Sequence, residues 1–208
     1  MGFLWDILSG IGWFFRKAFY KVKKKGGWTN SGHRLYGDHV KPENSWRSFQ
    51  AGLKYQHFDD FKYWEFDVVE SKDGVLYVFH DATKRKTIKR LCPTAPDHLK
   101  KKSIYELTAF QIDQLRLEGT DQYIPKFEQL MEWFESFPIT VPIRVEIKKL
   151  LSTSAKREII KRVKEHRDKT GHDIAFMMFK KKYRKVFKRD ADDFQRWLRE
   201  ANLKLDFI

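Results

Sequence analysis

The chain has a single cysteine, Cys92, in 208 residues. That excludes a disulfide framework and a thiolate-built zinc cluster, and it is compatible with a reducing compartment. A membrane-spanning helix is also missing: the N-terminal apolar stretch covers about 14 residues, where roughly 20 are needed to cross a bilayer. There is no internal repeat and no low-complexity tract. Acidic residues are scarce beside basic ones, 28 against 42, which leaves a formal charge of +14. Such a field attracts anions: nucleic acid, anionic lipid headgroups or phosphate-bearing substrates. No reading helix, finger or aromatic-studded sheet accompanies the charge, so nucleic acid has charge alone in its favour.

What is present is the composition of a folded chain, 41% hydrophobic and 16% aromatic, at a length that suits one domain with a sizeable core. Residues 1–26 stand apart from the rest. Phe3, Leu4, Ile7, Leu8, Ile11, Phe14 and Phe15 recur at near-helical spacing, and Lys/Arg gather from Arg16 to Lys25. The basic residues follow the apolar run rather than preceding it, so this is not a secretory signal. Asp6 stands where a myristoylation motif needs Ser or Thr. The expectation is an amphipathic helix lying on an anionic membrane surface, with packing on protein as the open alternative. Peripheral membrane or cytoplasmic location follows, with Gly26-Gly27 as a hinge to a domain over residues 27–208.

The chemistry centres on residues 64–81, WEFDVVESKDGVLYVFHD. A two-residue period puts Glu65 and Asp67 on one face of a strand and Trp64, Phe66 and Val68 on the other, so the two acids are close enough to share a cation. Ser71-Lys72-Asp73-Gly74 signals a turn. A second strand follows, carrying Leu76, Val78 and His80 on one face.

Elsewhere, residues 28–33 read as a short strand. Trp46, Phe49 and Leu53 form a helical stripe after Pro42-Glu43-Asn44, and residues 82–103 read as a solvated basic loop or, beside an acidic site, as a positive rim that gathers an anionic substrate. Thr108 and Gln111 form a capping box for a helix through Leu115. Pro125 suits the first position of the next helix, and Ser154 suits the cap of a basic one. Residues 139–148 alternate, with Val141, Ile143, Val145 and Ile147 opposite Arg144, Glu146 and Lys148. A strand at 174–179, a helix at 191–201 and a strand at 203–208 complete an α/β pattern of parallel type.

The order His33-Arg34, Pro42-Glu43-Asn44, Glu65-Phe66-Asp67-Val68, Lys72-Asp73-Gly74, His80-Asp81, Ile124-Pro125 and Glu146-Ile147-Lys148 resembles the glycerophosphodiester phosphodiesterase family over residues 29 to about 150. The resemblance implies a TIM-type (β/α) barrel with its site at the C-terminal strand ends. It implies that Glu65, Asp67 and Glu146 ligate one divalent cation, Mg²⁺ or Ca²⁺ given all-oxygen ligation. It further implies that His33 and His80 are the acid/base pair, with Arg34 and Lys148 on the phosphate.

A glycerophosphodiester or a lysophospholipid is then the substrate. A phospholipase D-type enzyme and a non-catalytic basic lipid-binding protein are the alternatives. Two departures stand out. Leu35-Tyr36 intervene before Gly37, where the family has His-Arg-Gly. Only five or six strands fit before Ile208, so the barrel is abbreviated at its C-terminus, and a protein partner or second copy is expected to cover the edge.

Overall fold

The computed structural model describes residues 30–82 and 87–208. The expected N-terminal amphipathic helix lies outside the described residues. Five strands form one sheet in the order β2-β1-β3-β4-β5. Strand β1 (Trp64–Glu70) and β2 (Leu76–Val78) make an antiparallel hairpin over the expected turn, where Gly74 supplies φ 93°. Strands β3 (Ile143–Lys149), β4 (Ile174–Met178) and β5 (Leu205–Phe207) add on in parallel.

Alternation sorts the sheet into two faces. Trp64, Phe66 and Val68, then Ile143, Val145 and Ile147, then Ile174, Phe176 and Met178 join one buried core. Helices cover it through Phe49 of α1 (Trp46–Leu53) and Phe134 of α4 (Phe127–Ser136). Ile159 of α5 (Thr153–Thr170) and Phe194 of α7 (Ala191–Glu200) close over the same core. A second cluster gathers Val69, Tyr77 and Phe79 with Ile88, Leu91, Cys92 and Leu99. Residues 87–103 are therefore no solvated loop. They hold a 3₁₀ turn and the short α2 (Asp97–Lys100), folded down by their own apolar side chains.

Several boundaries move for identifiable reasons. The Thr108–Gln111 capping box forms, but α3 (Ala109–Ile112) stops short of Leu115. Helix α4 starts at Phe127, because Lys126 takes the extended cap conformation after Pro125. Ser152, not Ser154, caps α5: its hydroxyl accepts from the Ala155 amide, and the helix ends on Gly171 at φ 74°. No described helix is long and apolar enough to cross a membrane.

The described part of the first expected strand, residues 30–33, is not a strand. Residues 31–39 are turns, and Arg34, Leu35 and Tyr36 are all left-handed, at φ 51°, 57° and 69°. The side chain of Asn30 diverts the backbone: its Oδ1 accepts from the amides of Gly32, Lys62 and Tyr63. The segment still lies along β1, since the Glu65 amide donates to the Gly32 carbonyl and the Leu35 amide to that of Glu65. Among the described residues β2 and β5 remain separate edges, so the architecture seen is an open, mostly parallel α/β sheet and not a closed barrel.

Candidate active site

The parallel register of β1 and β3 sets Asp67 opposite Glu146, and the strand period puts Glu65 on the same face as Asp67. The three carboxylates are buried, and one oxygen from each lies within 4.8 Å of the others. Glu65 Oε2 accepts from the Arg34 amide at 2.8 Å, which the left-handed turn delivers to it. Its Oε1 is buried with no hydrogen-bond partner, as is Asn44 Oδ1. Burial and the Asp67 charge hold the Glu65 carboxyl well above its ordinary range. Burial also opposes ionisation of Asp67, yet Lys148, His80 and Arg34 outweigh it and keep that carboxyl low.

Three crowded carboxylates and an unsatisfied buried oxygen make a cluster of oxygen donors. That donor set fits one hard divalent cation.

Lys148 follows Glu146 on the same face of β3. Its Nζ lies 2.6 Å from Glu146 Oε1 and 2.8 Å from Asp67 Oδ1, and these two acids raise its pKa against the effect of burial. Arg34 spreads over the mouth. One terminal nitrogen donates to Glu43 at 3.1 Å, the other to His80 Nε2 at 2.8 Å, and Nε sits 3.8 Å from Asp67 Oδ2.

Both histidines have a carboxylate on Nδ1. His33 Nδ1 donates to Asp38 at 2.7 Å, and its Nε2 is 3.7 Å from Glu65 Oε2. His80 Nδ1 donates to Asp81 at 2.8 Å. An arginine only donates and a carboxylate only accepts, so the proton of neutral His80 is on Nδ1 and Nε2 offers a lone pair. In each case the carboxylate on Nδ1 orients the ring, with Nε2 of His33 toward Glu65 and Nε2 of His80 against Arg34.

All seven expected residues, His33, Arg34, Glu65, Asp67, His80, Glu146 and Lys148, thus belong to one connected site. Lys148 is engaged with two of the acids rather than facing open space. The sequence reading gave no role to Asp38, Asp81, Glu43 or Asn44. Glu43 is a buried hub for Arg34 and Arg90, and these two with His80 hold its carboxyl low despite burial. Arg90 also donates to Asp81 at 2.6 Å, so part of the basic segment 87–103 braces the site from behind. Asn44 Nδ2 donates to Asp67 Oδ2 at 2.7 Å. Proximity in the His80-Asp81 and Glu43-Asn44 pairs was a visible signal. The reach from Asp38 to His33 depends on the left-handed turn and was not.

The model of the glycerophosphoryl diester phosphodiesterase family matches residues 33–202. Solved structures share the fold. A candidate glycerophosphodiester phosphodiesterase from Galdieria sulphuraria aligns with TM-score 0.60 and 20% identity, covering 84% of this chain and 61% of that one. A glycerophosphodiester phosphodiesterase from Agrobacterium tumefaciens gives TM-score 0.54 and 19% identity over 83% of each chain. A candidate glycerophosphoryl diester phosphodiesterase from Silicibacter pomeroyi gives 0.55 and 18%, covering 86% of this chain and 62% of that one. This chain therefore spans about three fifths of the length of two of these proteins. No curated protein matches the sequence. With its family model matched over most of its length, the chain belongs to the glycerophosphoryl diester phosphodiesterase family.

Proposed function

We propose that the protein is a metal-dependent phosphodiesterase that hydrolyses glycerophosphodiesters to glycerol phosphate and an alcohol. The observation that carries this reading is the placement of two carboxylate-oriented imidazoles beside the buried Glu65–Asp67–Glu146 cluster. Those three carboxylates hold one Mg²⁺ or Ca²⁺ ion. When bound, the ion offsets charge that grows on the non-bridging phosphate oxygens.

The residues do the rest. Nε2 of one histidine takes a proton from the attacking oxygen. Nε2 of the other gives a proton to the departing alcohol. The new P–O bond forms as the bond to the alcohol oxygen breaks, so the sum is one water consumed and one ester bond cleaved. Water attacks directly, or the neighbouring glycerol hydroxyl attacks first and water opens the cyclic phosphate.

Asp38 and Asp81 fix the tautomers and stabilise whichever imidazole is charged. Arg34 leaves His80 Nε2 and turns its fork to the phosphate, and Lys148 adds a point charge. Residues 27–208 form the catalytic domain, the sheet being part of a (β/α) barrel plan, and residues 1–26 attach it to an anionic membrane surface.

The test is product analysis on a panel of glycerophosphodiesters and lysophospholipids with His33→Ala as comparison. Glycerol phosphate release that depends on His33 supports the reading. Folded protein without turnover on any of them contradicts it.

A further inference from the structure

Strands β1, β3, β4 and β5 run parallel, so their C-terminal ends lie on one side of the molecule. Glu146 pairs with Met177, and β4 ends one residue later, at Met178. The chain therefore leaves the sheet at the level of the site and enters a 3₁₀ turn (Lys180–Lys182) and the short α6 (Tyr183–Phe187). This excursion is KKKYRKVFKR. Tyr183 and Phe187 point inward, while Lys180, Lys181, Lys182, Arg184, Lys185 and Arg189 are exposed.

Acids do little to neutralise this patch. Arg184 reaches Asp192 at 3.4 Å between two highly exposed side chains, and Asp190 is already bound by Lys156 and Thr153. Lys180, Lys181 and Lys185 form no ion pair among the described residues. The same side presents apolar surface: Leu151 just past β3 and Phe207 on β5 are each over 40% exposed, and Phe207 packs edge-on against Tyr183.

We infer that residues 180–189 are a docking surface for an anionic lipid bilayer, which brings the C-terminal ends of the strands to face the headgroups. A flat plane of phosphates matches an exposed run of cations with few acids between them, and partly exposed apolar side chains can enter the headgroup boundary. Folded nucleic acid would need a groove or stacking platform, and the inward aromatic rings of this segment offer none. Lipid binding stands by itself; its value in presenting substrate to the site rests on the proposed function.

The experiment sediments the full-length chain with phosphatidylcholine vesicles, with and without phosphatidylserine, at low and high salt. One variant carries Lys180→Gln, Lys181→Gln and Lys185→Gln. A second removes the same charge at the opposite ends of the strands, with Lys54→Gln, Lys62→Gln and Lys204→Gln, all exposed. Each cation at such a surface contributes about fivefold to partitioning, so the first variant is expected to lose on the order of a hundredfold of its salt-sensitive binding. The second is expected to bind nearly as the unmodified chain does. Equal loss in both variants, no loss in the first, or binding of an RNA oligonucleotide without binding of vesicles overturns the inference. Hydrolysis of a soluble glycerophosphodiester, measured alongside, is expected to be unchanged in the first variant. If no protein hydrolyses it, the catalytic reading fails while the vesicle result stands.

Discussion

His80 Nε2 accepts a hydrogen bond from the Arg34 guanidinium at 2.8 Å, while its Nδ1 donates to Asp81 at the same distance. The two contacts fix a tautomer and keep a lone pair at the mouth of the site. Asp81→Asn keeps the shape but lets an amide NH₂ face Nδ1, which favours the wrong tautomer. A positioned acid–base supplies about 10²–10⁴ in rate. The expected outcome is a kcat lower by at least roughly tenfold with KM little changed, and an altered pH–rate profile. Unchanged kcat would show that Asp81 is structural only.

Gly32 allows the turn segment to lie against β1. A Cβ there would meet the Tyr63 carbonyl oxygen at 2.1 Å, a backbone atom that has no room to yield. Gly32→Ala is expected to lower stability by about 1–3 kcal/mol, the usual effect of overpacking. Activity should fall with it, because the same turn delivers the Arg34 amide to Glu65. Thermal unfolding checks this, and a wild-type melting temperature with wild-type turnover would contradict it.

Cys92 is fully buried, and burial pushes its thiol up to about 12. The thiolate is the reactive form, so native protein is expected to resist a thiol reagent at neutral pH and to react on unfolding in denaturant. Rapid labelling of native protein would show that the segment over Cys92 opens.

His166 is buried between α4 and α5, 3.1 Å from His172 Nδ1 and 3.5 Å from Glu135. Burial and His172 lower its pKa from the ordinary 6.5, and the pull of Glu135 does not reverse this. The folded state therefore resists a proton that the unfolded chain takes up. The corresponding stability is full above about pH 6.5 and is lost as pH falls through the lower folded value. Denaturant midpoints measured from pH 8 to pH 5 should fall, and His166→Gln should flatten that slope. An equal slope in the variant would assign the acid sensitivity elsewhere.

Much of the site was legible because strand alternation is a strict rule. Once Glu65 and Asp67 share a face and Glu146 lies on an alternating strand, parallel pairing brings them together, as the Asp67–Glu146 register shows. Long elements were legible for the same reason, Trp46–Leu53 and Trp64–Glu70 among them. The turn at 31–39 was not, because three consecutive left-handed residues at Arg34, Leu35 and Tyr36 go against the local preference of each. They are held there by tertiary hydrogen bonds and by the burial of Leu35 and Tyr36. The buried packing of residues 87–103 was hidden too, since its lysines dominate the sequence while its spaced Ile88, Leu91 and Leu99 do the folding.

The central claim is that Glu65, Asp67 and Glu146 hold the cation on which hydrolysis depends. The direct measurement is turnover of glycerophosphocholine by chelator-treated protein as Mg²⁺ or Ca²⁺ is returned, for wild type and for Glu65→Gln. The account predicts no turnover in chelator and saturable recovery with one of the two ions. It also predicts a loss on the order of a hundredfold or more in Glu65→Gln that added ion does not restore. Turnover that ignores the chelator, or a Glu65→Gln protein that works as wild type does, would contradict it.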